Sequence, residues 1–400
     1  MRFLFCLYDA PWPIRGGQQL HTYNMIQALV SLGHDVHLAS YGDIGGFPAH
    51  KHSGWSVSRL SEPGDYVSGQ NPDPVHQWLA ERWMQYWGIP VWVLQSIKML
   101  VEGFQPDTVI SVGLQALPLA AGTCKVPTVW YAADDWVLHH LTLAQKGSLR
   151  TRVNSLQRAA LSLCYERSLS GQTGGAIAVS KQDQKALRWI GGFQHVSLIP
   201  NGVDAEFFQP RLEKESEKPS ICFWGRMDFP PNVDAMVWFC SEIWPLLLDD
   251  FPDAVMTVVG ANPTPAVSEL AMERNVRVTG EVDDIRPFAW HSQVVVMPIR
   301  TGGGIKNKLL EACAMGRPIV ASQTATSGLE IENESSAPWM IAYNRQDWVN
   351  AVKLLWTRQE IRLQLGRSAR DYVVRNHSWR RAANKFVDFI TKMTGETTKR

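Results

Sequence analysis

The chain has 400 residues, a length that fits two domains of ordinary size. Hydrophobic residues make up 45% of it and charged residues 19%, a globular mixture that excludes a disordered, collagen-like or coiled-coil chain. Lys and Arg number 39 against 38 Asp and Glu, for a formal net charge of +1. No global field would therefore attract nucleic acid, and any anion site must be local.

The chain opens with a pattern typical of a parallel α/β unit. The apolar run Phe3–Leu7 predicts a buried strand, and the loop after it contains Gly16 and Gly17. Helical spacing of apolar residues follows over 20–30, and a second strand is predicted over 36–39. Strands alternating with helices predict a doubly wound parallel sheet.

The same opening bears on the cellular compartment. The first apolar run is too short for a signal-peptide core, and no window reaches transmembrane length free of charge or proline. The six Cys lie far apart and favour buried thiols over a disulfide framework or a zinc site. These features predict a cytoplasmic protein that binds no metal.

Two carboxylates close a later strand of the first half. The strands predicted there cover 108–112, 128–131 and 175–179. Asp134 and Asp135 follow the second of them, where they could accept a proton from an acceptor hydroxyl or orient it. Alternatively, Asp135 caps the helix that follows.

Two stretches could address an acceptor at a membrane. Tryptophans crowd the region from Trp78 to Trp92, and the segment from Lys146 to Arg167 carries five cationic side chains against one acid. A cationic and partly apolar surface suits anionic lipids or a lipid-linked acceptor, and hence peripheral membrane contact. Alternatively, the tryptophans form a core between helices and the cationic segment is an ordinary solvated face.

A polar stretch over 211–219 reads as a linker, and strands and helices alternate again beyond it. The strands predicted there cover 221–224, 255–259, 276–278, 294–297 and 318–321. The chain thus divides into two α/β domains over 1–199 and 200–376, with a ligand cleft between them.

The strongest chemical pattern follows the strand over 294–297. Gly302, Gly303 and Gly304 permit close backbone approach, and a helix is predicted to begin near Ile305. The unpaired amides of such a helix start would receive a phosphate, and Lys306 and Lys308 add positive charge nearby. Glu311 lies about one turn further along the helix, where its carboxylate suits a ribose diol. Without a ligand, the same residues make a glycine loop with a surface salt bridge.

Arg226 follows directly on another predicted strand end, and its guanidinium matches two phosphate oxygens. Alternatively, Arg226 forms a salt bridge with Asp228 or a contact at a domain interface. The Gly16-Gly17 pair lacks the third glycine and the later acid of a dinucleotide fingerprint, which argues against NAD.

Here the chain resembles a family. The segments that carry the resemblance are Gly16-Gly17, Ala178-Val-Ser180, Ile199-Pro-Asn-Gly-Val-Asp204, Trp224-Gly-Arg-Met-Asp-Phe-Pro-Pro-Asn-Val-Asp234 and Gly302-Gly-Gly-Ile-Lys-Asn-Lys-Leu-Leu-Glu-Ala-Cys-Ala-Met-Gly-Arg-Pro318. They look like the motifs of family-4 retaining glycosyltransferases with the GT-B fold, in particular a bacterial branch that builds surface polysaccharides.

The resemblance implies two Rossmann-like domains facing across a cleft. The second would hold a nucleoside-diphosphate sugar such as a UDP-sugar, with Glu311 on the ribose and with Arg226 and the loop Gly302–Lys306 on the diphosphate. Gly16 and Gly17 would meet the donor from the first domain, which would bind a glycan or lipid-linked acceptor. Transfer would retain the anomeric configuration and require no metal or cofactor, and a last helix over about 377–393 would pack back on the first domain.

The chain departs from the family at two positions. The family usually carries a Glu eight residues before Glu311, where this chain has Gly303, and a phosphate-binding Lys where this chain has Asn232. Lys306 is one source of the missing charge. The departures keep open a non-catalytic nucleotide-sugar-binding protein, and the architecture alone also fits a nucleotide-sugar epimerase.

Overall fold

The chain forms two compact units, of which the second interrupts the first. One unit comprises Met1–Pro200 together with Trp379–Arg400, and the other comprises Asn201–Ser378. The computed structural model describes residues 1–12, 14, 17–44, 54–61, 82, 84, 88–90, 92–120, 126–133, 136–145, 149–211, 215–302, 304–331 and 336–397.

Each unit is built around a parallel sheet. The strands of the first unit are β1 (Arg2–Leu7), β2 (Asp35–Ser40), β3 (Trp55–Arg59), β4 (Thr108–Val112), β5 (Thr128–Ala133), β6 (Gly175–Ala178) and β7 (Val196–Leu198). Those of the second unit are β8 (Ser220–Trp224), β9 (Val255–Val259), β10 (Val276–Val278), β11 (Val294–Met297), β12 (Ile319–Ser322) and β13 (Met340–Ala342).

Helices separate most of the consecutive strands. They are α1 (Gly17–Ser31), α2 (Trp92–Phe104), α3 (Leu117–Ala120), α4 (Trp136–Ala144), α5 (Leu149–Ser170), α6 (Lys181–Trp189), α7 (Pro230–Glu242), α8 (Trp244–Asp250), α9 (Pro265–Ser268), α10 (Arg286–His291), α11 (Asn307–Ala314), α12 (Gln323–Thr326), α13 (Arg345–Thr357), α14 (Gln359–Asn376) and α15 (Trp379–Thr397). A 3₁₀ turn covers Glu269–Met272. Within the described residues, no helix is both long enough and apolar enough to cross a membrane.

Strand order in both sheets reverses at one point. In the described residues the first sheet runs β3-β2-β1-β4-β5-β6-β7 and the second runs β10-β9-β8-β11-β12-β13. Every pairing is parallel. The predicted α/β class with two doubly wound sheets is therefore confirmed. The reversal lies between β1 and β4 in the first unit and between β8 and β11 in the second.

The continuous apolar runs of the sequence arise because both faces of these strands are buried. Along β1, Phe3 and Phe5 join the core cluster on one face, while Leu4 and Cys6 join the cluster on the other. The sequence of β1 therefore shows no alternation of apolar and polar residues, and the strand is indicated by the apolar run alone.

The last helix of the chain completes the core of the first unit. Phe386 of α15 is fully buried, and its ring centroid lies 5.4 Å from that of Phe3 and 6.1 Å from that of Phe5. Tyr131 of β5 adds a third ring at 6.4 Å. The end of the chain is thus an integral part of the unit that contains its beginning.

The stretch predicted as a linker belongs to the second unit. Glu215 pairs with the buried guanidiniums of Arg317 and Arg362, at 2.8 and 3.2 Å. The amide of Ser216 donates to the carbonyl of His291. These contacts correct the linker prediction, because a polar composition here reflects docking through ion pairs and hydrogen bonds.

The cysteines only partly fit the expectation of buried thiols. Of the described residues, Cys6, Cys222, Cys240 and Cys313 are buried, whereas Cys164 is exposed. Cys124 lies outside the described residues.

Candidate active site

The site predicted in the second half forms where the strand order of the second sheet reverses. Strands β8 and β11 are neighbours there, and each is followed by a glycine-containing loop. Loops that leave the carboxyl ends of such a strand pair diverge and open a crevice, which is where doubly wound sheets bind ligands. The fold thus brings the segment after Trp224 close to the segment that leads into α11.

Glycine is required at the end of β8. Gly225 has φ +148°, and a Cβ at this position would lie 2.6 Å from the Lys308 Nζ and 2.8 Å from the Asn232 Nδ2. Gly260, at the end of β9, also has φ +148°, and a Cβ there would lie 1.7 Å from the carbonyl oxygen of Gly225. The two glycines let backbone and side chains converge more closely than other residues could.

The glycine loop leads into α11 as the sequence predicted, with the helix beginning at Asn307. Gly302 and Gly304 have φ +100° and +66°, a conformation that favours glycine. The amide of Leu309 donates to the Lys306 carbonyl at 2.9 Å, so the amides before it in the first turn have no carbonyl within the helix. Gly303 lies outside the described residues.

The two lysines of this segment have different surroundings. Lys306 caps the helix, and its Nζ donates to the carbonyls of Gly302 at 3.3 Å and Gly304 at 3.4 Å, which belong to its own loop. Lys308 points towards β8, where its Nζ donates to Asn232 Oδ1 at 2.7 Å and lies 4.2 Å from the ring centroid of Phe223. Lys308 therefore reaches the end of the neighbouring strand.

Glu311 is held by a tryptophan. The indole Nε1 of Trp224, the last residue of β8, donates to Glu311 Oε2 at 2.7 Å. In the described part of the chain no other donor lies on this carboxylate, so Oε1 keeps its lone pairs for a ligand. Burial raises the pKa of Glu311, against the opposing effects of the Trp224 hydrogen bond and the Lys308 charge. The arrangement fixes a carboxylate that can accept hydrogen bonds from hydroxyl groups.

Arg226 forms the ion pair that the sequence offered as its alternative. Its Nε and Nη2 donate to the two carboxylate oxygens of Asp228, at 3.0 and 2.8 Å, and its side chain is 54% exposed. The hydrogen bond from Arg226 lowers the pKa of Asp228. Solvent screens an exposed pair of this kind, so a diphosphate could replace Asp228 at small cost.

The start of α11 is also tied to the segment that follows β7. The Asn201 Nδ2 donates to the Oδ1 of Asn307 at 2.8 Å, and the Nδ1 of His377 donates to the Asn201 carbonyl at 2.9 Å. His377 and Asn201 are both buried. Side chains outside the glycine motif therefore hold the helix start in place.

The site residues predicted in the first half are only partly described. Gly17 begins α1, whereas Gly16, Asp134 and Asp135 lie outside the described residues. A neighbouring histidine, His21, is buried with its Nε2 2.7 Å from the Tyr131 hydroxyl, and burial lowers its pKa to about 3. It is therefore a neutral core residue. Among the described residues, no cluster of three or more His, Cys, Asp or Glu side chains could hold a metal ion.

Two family models match the chain. One, described as "Glycosyltransferase Family 4", matches residues 15–207, and the other, described as "Glycosyl transferases group 1", matches residues 218–358. The chain belongs to the group 1 and family 4 glycosyltransferases. The resemblance that the motifs carry is thereby confirmed.

Curated relatives are distant and matched only in part. A UDP-Gal:alpha-D-GlcNAc-diphosphoundecaprenol alpha-1,3-galactosyltransferase of Escherichia coli is 23% identical over 213 residues, which cover 50% of this chain and 54% of the relative. A D-inositol 3-phosphate glycosyltransferase of Stackebrandtia nassauensis is 22% identical over 286 residues, or 64% of each chain. A D-inositol 3-phosphate glycosyltransferase of Saccharomonospora viridis is 33% identical over 79 residues, which cover 20% of this chain and 18% of the relative. The chain thus spans less than two thirds of the length of these relatives.

Solved structures establish the GT-B fold over the whole length. Sucrose-phosphate synthase of Thermosynechococcus elongatus aligns with a TM-score of 0.72 at 17% identity, covering 98% of this chain and 99% of that one. Anabaena HepE, solved in complex with UDP and glucose, aligns with a TM-score of 0.68 at 14% identity, covering 98% and 100%. The prediction of the GT-B fold is confirmed.

Three residues of the site escaped the sequence analysis. From the sequence, Trp224 was predicted only to end a buried strand. Asn232 was noted as standing where the family carries a lysine, and Lys308 was noted as a charge near the glycine motif. The three-residue spacing places Lys308 and Glu311 on one helix face, but it does not indicate the contacts of Lys308 with Asn232 and Phe223.

Proposed function

We propose that this protein transfers a sugar from a nucleoside-diphosphate sugar to a hydroxyl acceptor, with retention, in the assembly of a bacterial-type polysaccharide or glycolipid. The observation that carries the proposal is the arrangement at the strand-order reversal of the second unit. There Glu311 is fixed by Trp224 at 2.7 Å, beside the start of α11 and the loop that carries Arg226. A carboxylate one turn below a helix start matches a ribose whose diphosphate meets the helix amides.

The same residues suit the departure of the nucleoside diphosphate from the donor sugar. Cleavage of the anomeric bond leaves negative charge on the diphosphate, and the amides of α11 with Arg226 and Lys306 would stabilise this charge. Preorganised donors and cations of this kind act without a metal ion. The nucleotide in HepE is UDP, and we propose a uridine nucleotide as the donor here as well.

The first unit would supply the acceptor side. We assign the donor sugar to Gly16 and Gly17, and the acceptor hydroxyl to Asp134 or Asp135, which follow the sheet strand β5. A nucleotide-sugar epimerase is the alternative on this architecture. Incubation with donor alone separates the two, since an epimerase converts the donor without an acceptor, whereas a transferase releases nucleoside diphosphate only when an acceptor is present.

Nucleotide binding is the first test. We expect Glu311→Ala to weaken UDP binding in calorimetry at least about tenfold, because the ribose loses a charged hydrogen-bond acceptor. Glu360→Ala is the matched control, since Glu360 is exposed and pairs with Arg358 at 3.7 Å. Equal UDP affinity in wild type and Glu311→Ala would remove the carboxylate from the site.

Turnover is the second test. Arg226→Ala should lower the rate of UDP release in the presence of acceptor, because the departing diphosphate loses a cation. Arg358→Ala is its control, since that side chain is 63% exposed. A wild-type rate in Arg226→Ala would leave Arg226 with its Asp228 pair alone.

We also propose peripheral contact with an anionic membrane through α5. Leu149, Val153 and Leu156 recur at helical spacing with 78%, 45% and 52% exposure. Arg150 and Arg152 are exposed in the same turns, and the single acid of α5, Glu166, is buried. Apolar side chains flanked by cations match the interface of an anionic bilayer. The tryptophans at 78, 83 and 87 and Lys146 lie outside the described residues.

Flotation with vesicles tests this contact. We expect binding to vesicles containing phosphatidylglycerol, loss of binding in a Leu149→Ser/Leu156→Ser double variant, and little binding to neutral phosphatidylcholine. Binding by the double variant at the wild-type level would exclude α5 as the contact.

A further inference from the structure

The amine of Lys308 lies in a place that solvates an ammonium ion poorly. A protonated amine has three N–H donors, and in the described part of the chain one acceptor lies on it, the Oδ1 of Asn232 at 2.7 Å. The ring of Phe223 covers it at 4.2 Å from the centroid, and the glycine at 225 leaves the space that it occupies. Two donors of the ammonium form are therefore left for a ligand.

The amine is also linked to the loop that carries Arg226. The Nδ2 of Asn232 donates to the backbone carbonyl of Arg226 at 2.8 Å, while its Oδ1 accepts from Lys308. One amide group thus connects the lysine of α11 to the loop after β8. Lys306 is placed differently, because its amine donates back to the carbonyls of its own loop.

Burial makes the charge of this amine conditional. Desolvation lowers the pKa of Lys308 to about 7, while the Glu311 carboxylate raises it and the Lys306 ammonium lowers it further. The other groups in contact with the amine, Asn232 and Phe223, are neutral. Near neutral pH a large part of the ligand-free protein therefore carries an uncharged amine here.

On the basis of the proposed function, we propose that Lys308 is the second cation of the diphosphate site, and that its amine takes up a proton from solvent when the donor binds. The amine gains one proton and one positive charge, and two of its N–H groups then donate to phosphate oxygens. Lys308 thereby fills the role left open by Asn232, from a different element of the fold.

Protonation on binding makes affinity depend on pH. Above the pKa of the free amine, binding must include the free-energy cost of protonating it, so affinity falls as the pH rises. With a pKa of about 7 in the free protein, the dissociation constant of UDP should rise about tenfold between pH 7 and about pH 8.3. The phosphates of UDP are already ionised over this range, since their last pKa lies near 6.

Calorimetry of UDP binding in two buffers with different ionisation enthalpies measures the proton directly. At about pH 7.5 we expect the wild-type protein to take up roughly three quarters of a proton. Lys308→Met should bind more weakly, without this uptake and with an affinity that is flat over the same pH range. Lys308→Arg, which is always protonated, should bind without uptake. Lys353→Met is the matched control that should retain the uptake, since Lys353 pairs with Asp250 and is not among the site residues.

The outcomes separate this proposal from the proposed function. Tight UDP binding by the wild-type protein without proton uptake would refute the role of Lys308 and leave the function standing. Uptake that persists in a folded Lys308→Met protein would also refute the role of Lys308, because the proton would then bind to another group. Failure of the wild-type protein to bind UDP or any other nucleoside diphosphate would refute both.

Discussion

The indole of Trp224 offers the sharpest test of how the site is organised. Replacing Trp224 with Phe keeps an aromatic ring in the core but removes the N–H that donates to Glu311 Oε2 at 2.7 Å. The carboxylate would then have to be ordered by the ligand. Fixing a glutamate side chain in one rotamer costs up to about 1.5–2 kcal/mol of conformational entropy. In the wild-type protein this entropy is lost during folding and not during ligand binding.

The expected effect follows from this magnitude. A cost of about 1.4 kcal/mol transferred to the binding step corresponds to a tenfold loss of affinity. We therefore expect Trp224→Phe to weaken UDP binding about tenfold in calorimetry. Inorganic pyrophosphate, which has no ribose, should bind to the variant as it does to the wild-type protein.

A second buried indole provides the control. Trp290 is also buried in the second unit, and its Nε1 donates to the carbonyl of Gln209 at 3.1 Å, outside the site. Trp290→Phe should lose a comparable amount of stability, about 1 kcal/mol, with unchanged UDP affinity. The reasoning is refuted if Trp224→Phe binds UDP as tightly as wild type, or if it loses UDP and pyrophosphate binding equally.

Three further substitutions probe the same region. Lys308→Met should stabilise the ligand-free protein against urea below about pH 7, and this gain in stability should shrink as the pH rises towards 10. The reason is that the unfolded wild-type chain binds more protons than the folded protein between these pH values. A pH-independent difference in stability would contradict this prediction. Gly225→Ala should destabilise the protein by about 2 kcal/mol in urea, since alanine is strained at φ +148°, and a wild-type midpoint would contradict it. Asn201→Ala should weaken UDP binding a few-fold, because it removes the donor to Asn307 at the start of α11, and an unchanged affinity in calorimetry would make that contact purely structural.

The sequence predicted the central strands of each sheet and the edge strand β10, but it missed two other edge strands. Strands such as β8 and β11 are buried on both faces and appear as continuous apolar runs, so their positions could be predicted to within one residue. The edge strands β3 and β13 were not predicted, because strands of five and three residues with partly exposed side chains leave no run to detect.

The site was predictable to the extent that it lies in one segment. Gly302, Gly304 and Glu311 occur within a single glycine motif, and helical spacing placed the carboxylate correctly on α11. The hydrogen bond from Trp224 to Glu311 joins residues 87 positions apart, and that from Lys308 to Asn232 spans 76. Pairings of this range depend on the β8–β11 register, which no local pattern encodes.

The position of α15 sets an order in which the protein can be completed. During synthesis, every residue of the second unit, Asn201–Ser378, leaves the ribosome before the helix that supplies Phe386. The aromatic cluster around Phe3 and Phe5 cannot close until that helix is available. We expect the second unit to fold first, while the nascent N-terminal sheet keeps one apolar face exposed until α15 has been synthesised.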